Sequence, residues 1–231
     1  MLQLQDVHAY YGDSHILKGV SMEIRKGELA TLLGRNGAGK TTTLRSILGI
    51  IPPRNGAIIF DGKHISGGKP HQIASLGVGY VPEERAIFPS LSVLENLTLP
   101  SKKNRTGFWD LETIFAHFPI LRERSHQRGS QLSGGEQQML AIARILTMDI
   151  KLLLLDEPTE GLAPAFRQQI AMILKEIKKS QITMLLVEQN IKFAMEVADQ
   201  HHILYNGQIS YKGSNAQFKT DKEVQLRYLG V

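Results

Sequence analysis

The chain has 231 residues, 42% of them hydrophobic and none of them cysteine, so it can bury a large core but excludes disulfide frameworks and cysteine-based metal sites. It contains no run of about 18 apolar residues, which excludes a membrane-spanning helix. Its net charge is +5, and its basic residues are scattered without interleaved aromatics, so no nucleic-acid partner is expected. Such scatter is typical of an ordinary solvated surface. Weak attraction to an anionic membrane is the alternative.

The N-terminal part of the chain predicts an antiparallel β lobe. Apolar residues alternate at Leu2 and Leu4 and again from Val20 to Ile24, and Ile58–Phe60 runs into a turn. Alternation with frequent turns is typical of half-buried strands joined in hairpins.

A short buried strand, a glycine-rich loop and a helix follow one another. Leu29–Leu33 is a continuous apolar run, and Thr41–Leu48 has helical spacing. The loop between them matches G-x-x-x-x-G-K-[ST], in which glycines let successive backbone N–H groups point at phosphate oxygens. Lys40 can reach the β- and γ-phosphates and the Thr41 hydroxyl can ligate Mg²⁺, whereas a plain glycine turn is the alternative. The predicted ATP-binding residues of this phosphate loop are Gly34, Arg35, Asn36, Gly37, Ala38, Gly39, Lys40, Thr41 and Thr42.

Residues 84–149 predict a helical subdomain inserted into an α/β core. Ser92–Leu99, Asp110–His117 and Gly134–Leu146 have helical spacing, with no strand-like run among them. Residues 1–83 and 150–231 are assigned to the core, and residues 1–231 to a single domain.

The core resumes with strands and helices in alternation. Lys151–Leu155 and Ile182–Val187 are continuous apolar runs, and Phe166–Lys179 and Ile191–Ala198 have helical spacing. This alternation predicts an α/β fold with a mostly parallel sheet covered on both faces. A hairpin is predicted around Asn206-Gly207, a pair typical of a type I′ turn.

Two carboxylates end the strand predicted at 151–155. Asp156 and Glu157 lie at its carboxyl end, where open α/β sheets bind ligands. Asp156 suits the Mg²⁺ shell, and Glu157 suits a general base that polarises the attacking water. Alone, the pair is equally suited to capping the next helix; beside a phosphate loop it predicts nucleotide hydrolysis.

A third motif is the segment Leu132–Gln138, the signature segment. Ser133 with Glu136 three residues later is typical of a capping box, which by itself is a purely structural explanation. Gly134 and Gly135 are poor helix formers, which indicates that something approaches the backbone closely. A helix start with a serine hydroxyl and glycine N–H groups is suited to binding an anion.

With these three motifs in order, residues 2–212 resemble the ATP-binding cassette (ABC) family, whose cofactors are ATP and Mg²⁺. In that family two cassettes pair head to tail, so the resemblance implies that Ser133, Gly134, Gly135 and Glu136 act on the nucleotide of a second cassette. It also implies that Tyr11 stacks on the adenine ring; a tyrosine that merely ends an edge strand is the alternative.

Three positions depart from the most common cassette pattern. Glu83 stands where a glutamine is usual, Gln189 where a histidine is usual, and Ala163 where a carboxylate is common. Glu83 can still ligate Mg²⁺, and Gln189 can donate a hydrogen bond to a phosphate, but Ala163 can neither accept hydrogen bonds across a dimer nor orient Glu157.

A cassette that does not hydrolyse ATP is one interpretation of these departures. The phosphate-loop lysine and both strand-end carboxylates are intact, so hydrolysis is the prediction. The predicted catalytic residues are Glu157 and Gln189, and the predicted Mg²⁺ ligands are Thr41, Glu83 and Asp156.

The segments around Glu83, Ala163 and Gln189 resemble the subgroup that powers uptake of branched-chain amino acids, in particular its shorter cassette subunit. That resemblance implies a second ATPase subunit, in a homodimer or heterodimer, two membrane permeases and, indirectly, a periplasmic solute-binding protein. It places the chain peripherally at the cytoplasmic face of the inner membrane, with residues 83–89 receiving a permease helix. Import of urea or short-chain amides and export of lipopolysaccharide are alternatives. A nucleic-acid-associated ABC ATPase is less expected, because the sequence has neither a long coiled-coil insertion nor a second cassette.

The histidines form no metal-ligand spacing with acidic partners, so no metal beyond nucleotide-bound Mg²⁺ is predicted. His201 and His202, just before the hairpin, are interpreted as surface residues.

Overall fold

The computed structural model describes residues 1–99 and 109–230, which form two sheets and the helices that cover them. The strands of the first sheet are β1 (Leu2–Tyr11), β2 (Ser14–Ile24), β4 (Asn55–Phe60) and β5 (Lys63–His64). The strands of the second are β3 (Leu29–Leu33), β6 (Val78–Val81), β7 (Leu152–Asp156), β8 (Thr183–Glu188), β9 (Gln200–Tyr205) and β10 (Gln208–Ser214). The first sheet is antiparallel with order β2-β1-β4-β5, and the second has order β10-β9-β3-β8-β7-β6.

Helices follow several strands of the second sheet and make up most of the described residues between 93 and 146. They are α1 (Lys40–Ile47), α2 (Pro70–Ser75), α3 (Val93–Thr98), α4 (Leu111–His117), α5 (Pro119–Glu123), α6 (Gly134–Leu146), α7 (Pro164–Lys179), α8 (Ile191–Val197), α9 (Asn215–Thr220) and α10 (Lys222–Val224). A 3₁₀ turn covers Gly129–Gln131, and a π-helical turn covers Gln225–Leu229. Within the described ranges, no helix combines the length and the apolar character needed to cross a membrane.

The second sheet is buried on both faces. Strands β3, β7 and β8 are buried along their whole length and pair in parallel. One face packs with α6 and α7 into one apolar core, and the other packs with α1 and the antiparallel sheet into a second core. Because β6, β7, β8 and β3 all run in the same direction, the loops that follow them meet at one edge of the sheet.

The predicted fold class is confirmed. The predicted strand Leu29–Leu33 and helix Gly134–Leu146 have the observed bounds, and the other predicted helices and parallel strands agree within two residues at either end. Asn206 and Gly207 have φ of 49° and 82°, the left-handed pair that a type I′ turn requires. Helices α2, α5 and α9 were not predicted, because each has only five or six residues and no long apolar period.

His201 and His202 are fully buried, so their interpretation as surface residues is wrong. Both lie in β9, which runs between β3 and β10 and not at an edge of the sheet. His201 Nδ1 lies 2.7 Å from Thr31 Oγ1, and its Nε2 lies 3.1 Å from Asn215 Oδ1. Burial lowers the pKa of His201, and burial together with the charge of Lys212 lowers the pKa of His202 to about 4.

Acid is therefore expected to destabilise the fold through His202. With a folded pKa of about 4 against about 6.5 in the unfolded chain, the neutral ring contributes stability that is complete above pH 6.5 and is lost as the pH falls towards 4. His202→Leu removes this titration, so the wild-type free energy of unfolding should fall by about 2 kcal/mol more than the variant's between pH 8 and pH 5. Urea titrations at both pH values measure it, with exposed His64→Leu as the control; equal losses in wild type and His202→Leu would contradict the assignment.

Candidate functional site

A cavity of about 390 Å³ opens where the loops after β3, β6, β7 and β8 meet. The residues that line it are Ile16, Asn36, Gly37, Gly39, Lys40, Thr41, Thr42, Glu83, Glu157, Glu160 and Gln189. Except for Ile16, which lies in β2, all of them follow a strand of the parallel sheet. The structure thus brings the phosphate loop, both catalytic candidates and Glu83 to one place, and it adds Ile16 and Glu160, which the motifs did not identify.

Two glycines of the phosphate loop, Gly34 and Gly39, lie where no side chain fits. A Cβ on Gly34 would lie 2.5 Å from the carbonyl oxygen of Leu204, and one on Gly39 would lie 2.8 Å from Leu17 Cδ2. Gly39 also has φ of 110°, and no side chain caps the start of α1 at this point. An uncapped helix start after a close glycine turn leaves N–H groups available to an anion.

Lys40 is buried, with only 5% of its side chain exposed, and it bridges the loop to the acidic side of the cavity. Its Nζ donates to the carbonyl oxygen of Gly34 at 2.9 Å and lies 3.2 Å from Glu157 Oε1. The positive charge of the Lys40 ammonium and the negative charge of the Glu157 carboxylate neutralise each other inside the site. A phosphate that enters the cavity would compete with Glu157 for this lysine.

Asp156, the last residue of β7, accepts two hydroxyl hydrogen bonds. Thr41 Oγ1 donates to its Oδ1 at 3.3 Å, and the Tyr80 hydroxyl donates to its Oδ2 at 3.2 Å. Burial nevertheless raises the pKa of Asp156 above its ordinary value. Tyr80 was not predicted, because only the pairing of β6 beside β7 places it next to this carboxylate.

Glu157 has a left-handed backbone, with φ of 45°, and it is held by its neighbours. The amide of Gln189 donates to its Oε2 at 2.5 Å. Burial works to raise the pKa of Glu157, but hydrogen bonding with Glu160, the charge of Lys40 and the Gln189 amide together lower it. The same hydrogen bond with Glu157 raises the pKa of Glu160 to about 7. Of the two carboxyls, Glu160 is therefore the one that is protonated first as the pH falls to about 7, and Glu157 is the ionised partner suited to act as a base.

Glu188 fixes the two loops that carry Glu157 and Gln189. It is 3% exposed, and its Oε1 accepts from Thr159 Oγ1 at 2.5 Å. Its Oε2 accepts from the backbone N–H groups of Gln189 and Asn190, both at 3.0 Å. The sequence motifs gave no role to this glutamate; a carboxylate that ends a continuous apolar strand was the available indication.

Tyr11 lies at the end of β1, outside the lining of this cavity. Its side chain is 45% exposed, and its hydroxyl accepts a hydrogen bond from Arg45 Nη1 at 3.0 Å. Arg45 belongs to α1, so the helix that begins at the phosphate loop also orients the tyrosine ring. Gly34, Arg35 and Ala38 belong to the loop but do not line the cavity.

The signature segment forms the start of α6 and contributes no residue to the lining of the cavity. Ser133 Oγ accepts from the Glu136 N–H at 3.3 Å, and Glu136 Oε2 accepts from the Ser133 N–H at 2.7 Å, as a capping box requires. A Cβ on Gly135 would lie 2.3 Å from Cγ of Phe166, in the first turn of α7. Ala163 precedes that turn and supplies no side-chain cap to α7.

The oxygen atoms around Asp156 fit the chemistry of Mg²⁺. Among the described residues, no three His, Asp or Glu side chains converge as a complete metal site. Magnesium in nucleotide sites keeps waters and takes phosphates together with one or two protein oxygens. Such a small set of protein oxygens is present here. Thr41 Oγ1 lies beside Asp156 Oδ1, and Glu83 lines the same cavity.

Residues 17–160 match the family model described as ABC transporter. The branched-chain amino acid transport ATP-binding protein BraG of Pseudomonas aeruginosa is 40% identical, with all of both chains covered. The lipopolysaccharide export ATP-binding protein LptB of Haemophilus influenzae is 33% identical, over 100% of this chain and 97% of LptB. A solved structure of the ATP-binding subunit of an ABC transporter has a TM-score of 0.83 at 27% identity, covering 98% of this chain and 94% of that one.

A phosphate loop, a strand-end acid pair and a capped glycine helix start around a parallel sheet define a nucleotide-hydrolysing cassette. The chain belongs to the ABC transporter family. It is an ABC-type transport ATPase that binds and hydrolyses ATP.

Proposed function

We propose that this chain hydrolyses ATP to power an importer of branched-chain amino acids. The observation that carries the proposal is its 40% identity to BraG over the whole of both chains, against 33% to LptB over similar coverage. The departures at Glu83, Ala163 and Gln189, which resemble the same uptake subgroup, agree with it.

Hydrolysis is proposed to use the residues of the cavity. Thr41, Asp156 and Glu83 would hold Mg²⁺, which neutralises phosphate charge when bound. Lys40 and the N–H groups of the phosphate loop bind and orient the phosphates. Glu157, ionised and held by Gln189, takes the proton of the attacking water.

A second cassette is proposed to complete the site. The signature segment is well formed as a helix start, yet it does not line the cavity of its own chain, which supports action on the nucleotide of a neighbour. The other proposed partners are two membrane permeases and, indirectly, a periplasmic solute-binding protein, with the chain at the cytoplasmic face of the inner membrane. Residues 84–149, whose described elements are helices, are proposed as the subdomain that carries the signature segment and meets the permease.

Lipopolysaccharide export is the second candidate, because LptB is also similar over nearly its whole length. Replacing the chromosomal gene by Glu157→Gln tests the two directly. Uptake of labelled leucine, isoleucine and valine should fall to background while urea uptake persists, and exposed Glu196→Gln is the matched control. Unchanged amino-acid uptake with loss of lipopolysaccharide from the cell surface would overturn the import proposal.

Adenine is proposed to stack on Tyr11. Because stacking of a base on an aromatic ring is worth about 1–3 kcal/mol, Tyr11→Ala should weaken ATP binding by about 5- to 160-fold. Tripolyphosphate, which has no base, should bind equally well to both proteins in calorimetric titrations. Tyr11→Phe keeps the ring and loses only the bond to Arg45, so it is the matched control. An equal loss of ATP and tripolyphosphate affinity in Tyr11→Ala would refute the stacking role.

A further inference from the structure

Arg85, in the loop after β6, packs against the first turn of α6. A Cβ built on Gly134 would lie 3.1 Å from both Nη1 and Nη2 of Arg85 and 3.3 Å from its Cζ. The two terminal nitrogens are nearer than the carbon, so the forked end of the guanidinium lies against the glycine. The absence of a side chain at Gly134 therefore makes room for this arginine within its own chain.

A hydrogen bond fixes Arg85 in that position. Its Nη1 donates to Gln137 Oε1 at 3.2 Å. Gln137 Nε2 in turn donates to the carbonyl oxygens of Gly129 at 3.1 Å and Leu132 at 3.3 Å. The guanidinium is thereby joined to the turn that leads into Ser133 as well as to the helix itself.

The loop that carries Arg85 is also held from the other side. Arg144, farther along α6, donates to the carbonyl oxygen of Ala86 at 2.6 Å, and its guanidinium lies 4.8 Å from the centre of the Phe88 ring. Arg85 and Ala86 have φ of 67° and 49°, two consecutive left-handed residues that are not glycine. Such a conformation costs about 1–3 kcal/mol per residue and persists only where the surroundings impose it.

The same loop begins at Glu83, which lines the ATP cavity. Only Glu84 thus separates a side chain that lines the cavity from one that packs on the signature segment. An ordinary surface arginine would make neither the close contact with Gly134 nor the bond to Gln137. Arg122, in the same part of the chain, is such a residue: it pairs with exposed Glu112 and lies over Phe115.

We propose that Arg85 is a positioning residue for ATP hydrolysis: it ties the loop from Glu83 to the start of α6, so that the chain's own ATP site sets the position of the signature segment offered to a second copy. The inference rests on the proposed action of the signature segment on a neighbour's nucleotide. It assigns to Gly134 a partner within the chain, as Phe166 is the partner of Gly135.

Purified full-length Arg85→Ala tests the role. We expect kcat to fall about 10-fold, because small displacements of positioning groups have effects of this size, while the ATP affinity of the monomer and the melting temperature stay close to wild type. In the Glu157→Gln background, Arg85→Ala should raise the dissociation constant of the ATP-bound dimer by about 10-fold. Arg85→Lys keeps the charge but not the planar fork, so it should recover only part of the loss. Arg122→Ala is the matched control and should behave as wild type.

The outcomes separate this inference from the one on which it rests. If Glu157→Gln does not dimerise with ATP, the shared site is wrong and the role of Arg85 falls with it. If Glu157→Gln dimerises and Arg85→Ala changes neither dimerisation nor kcat, only the role of Arg85 is overturned. If Arg85→Ala lowers melting temperature and monomer ATP affinity together, the arginine is structural and the proposal is equally overturned.

Discussion

Glu157→Gln is expected to lower kcat for ATP hydrolysis by about 10²–10⁴-fold while leaving ATP bound. The carboxylate is the ionised member of the pair with Glu160 and is held by Gln189 at 2.5 Å, the arrangement of a general base beside a phosphate site. Glutamine keeps the size and the hydrogen-bonding capacity but cannot accept a proton at neutral pH. Steady-state phosphate release and filter-binding of ATP measure the two effects separately.

The ion pair between Lys40 and Glu157 predicts how Glu157→Gln changes the affinity for ATP. With Glu157 neutralised, Lys40 loses its carboxylate partner at 3.2 Å and is free for the phosphates, so ATP affinity should stay equal or rise. Exposed Glu196→Gln controls for a change of one charge. Turnover within a factor of two of wild type would show that Glu157 is not the base, and a matching loss of ATP affinity would mean that the residue is required to build the site.

Gly135→Ala is expected to have the second large effect. Its Cβ would lie between 2.3 and 2.6 Å from three atoms of the Phe166 ring, so either the ring or the start of α6 must move. Overpacking of this kind costs about 1–3 kcal/mol of stability. Because the displaced turn carries Ser133, kcat should fall at least about 10-fold. Urea unfolding and steady-state turnover measure the two effects.

The neighbouring glycine is the matched control for stability. At Gly134 a new Cβ meets the guanidinium of Arg85 at 3.1 Å, which would have to move by only a few tenths of an ångström, so Gly134→Ala should cost much less free energy of unfolding. Phe166→Ala opens the space that Gly135→Ala needs, and the double variant should be no less stable than Phe166→Ala alone. Fully additive losses in the double variant would mean that the ring is not what excludes a side chain at Gly135.

The sequence predicted those parts of the site that form through contacts between residues close together in the chain. The phosphate loop follows a continuous apolar strand and opens a helix, and Asp156 and Glu157 end another such strand, so burial and chain order alone placed them. The capping box of Ser133 and Glu136 is likewise a contact over three residues. Each of these features depends on interactions within a few positions of the chain.

The parts of the fold and the site that the sequence did not predict depend on which strands are neighbours in the sheet. Tyr80 reaches Asp156 because β6 pairs with β7, and His202 is buried because β10 continues the sheet beyond β9. Periodicity cannot specify that order, since a parallel sheet is compatible with several strand orders. The contact of Arg85 with Gly134 also joins residues that are distant in the chain, and a glycine motif gives no indication of what approaches it.

The dependence of ATPase activity on protein concentration tests the central claim, that each site needs a second cassette. The chain alone, in dilute solution where sedimentation shows a monomer, should bind ATP yet hydrolyse it slowly. Turnover per molecule should rise in proportion to concentration until dimers predominate. Constant turnover per molecule across the range in which the protein is monomeric would contradict the claim, because the residues of one chain would then suffice.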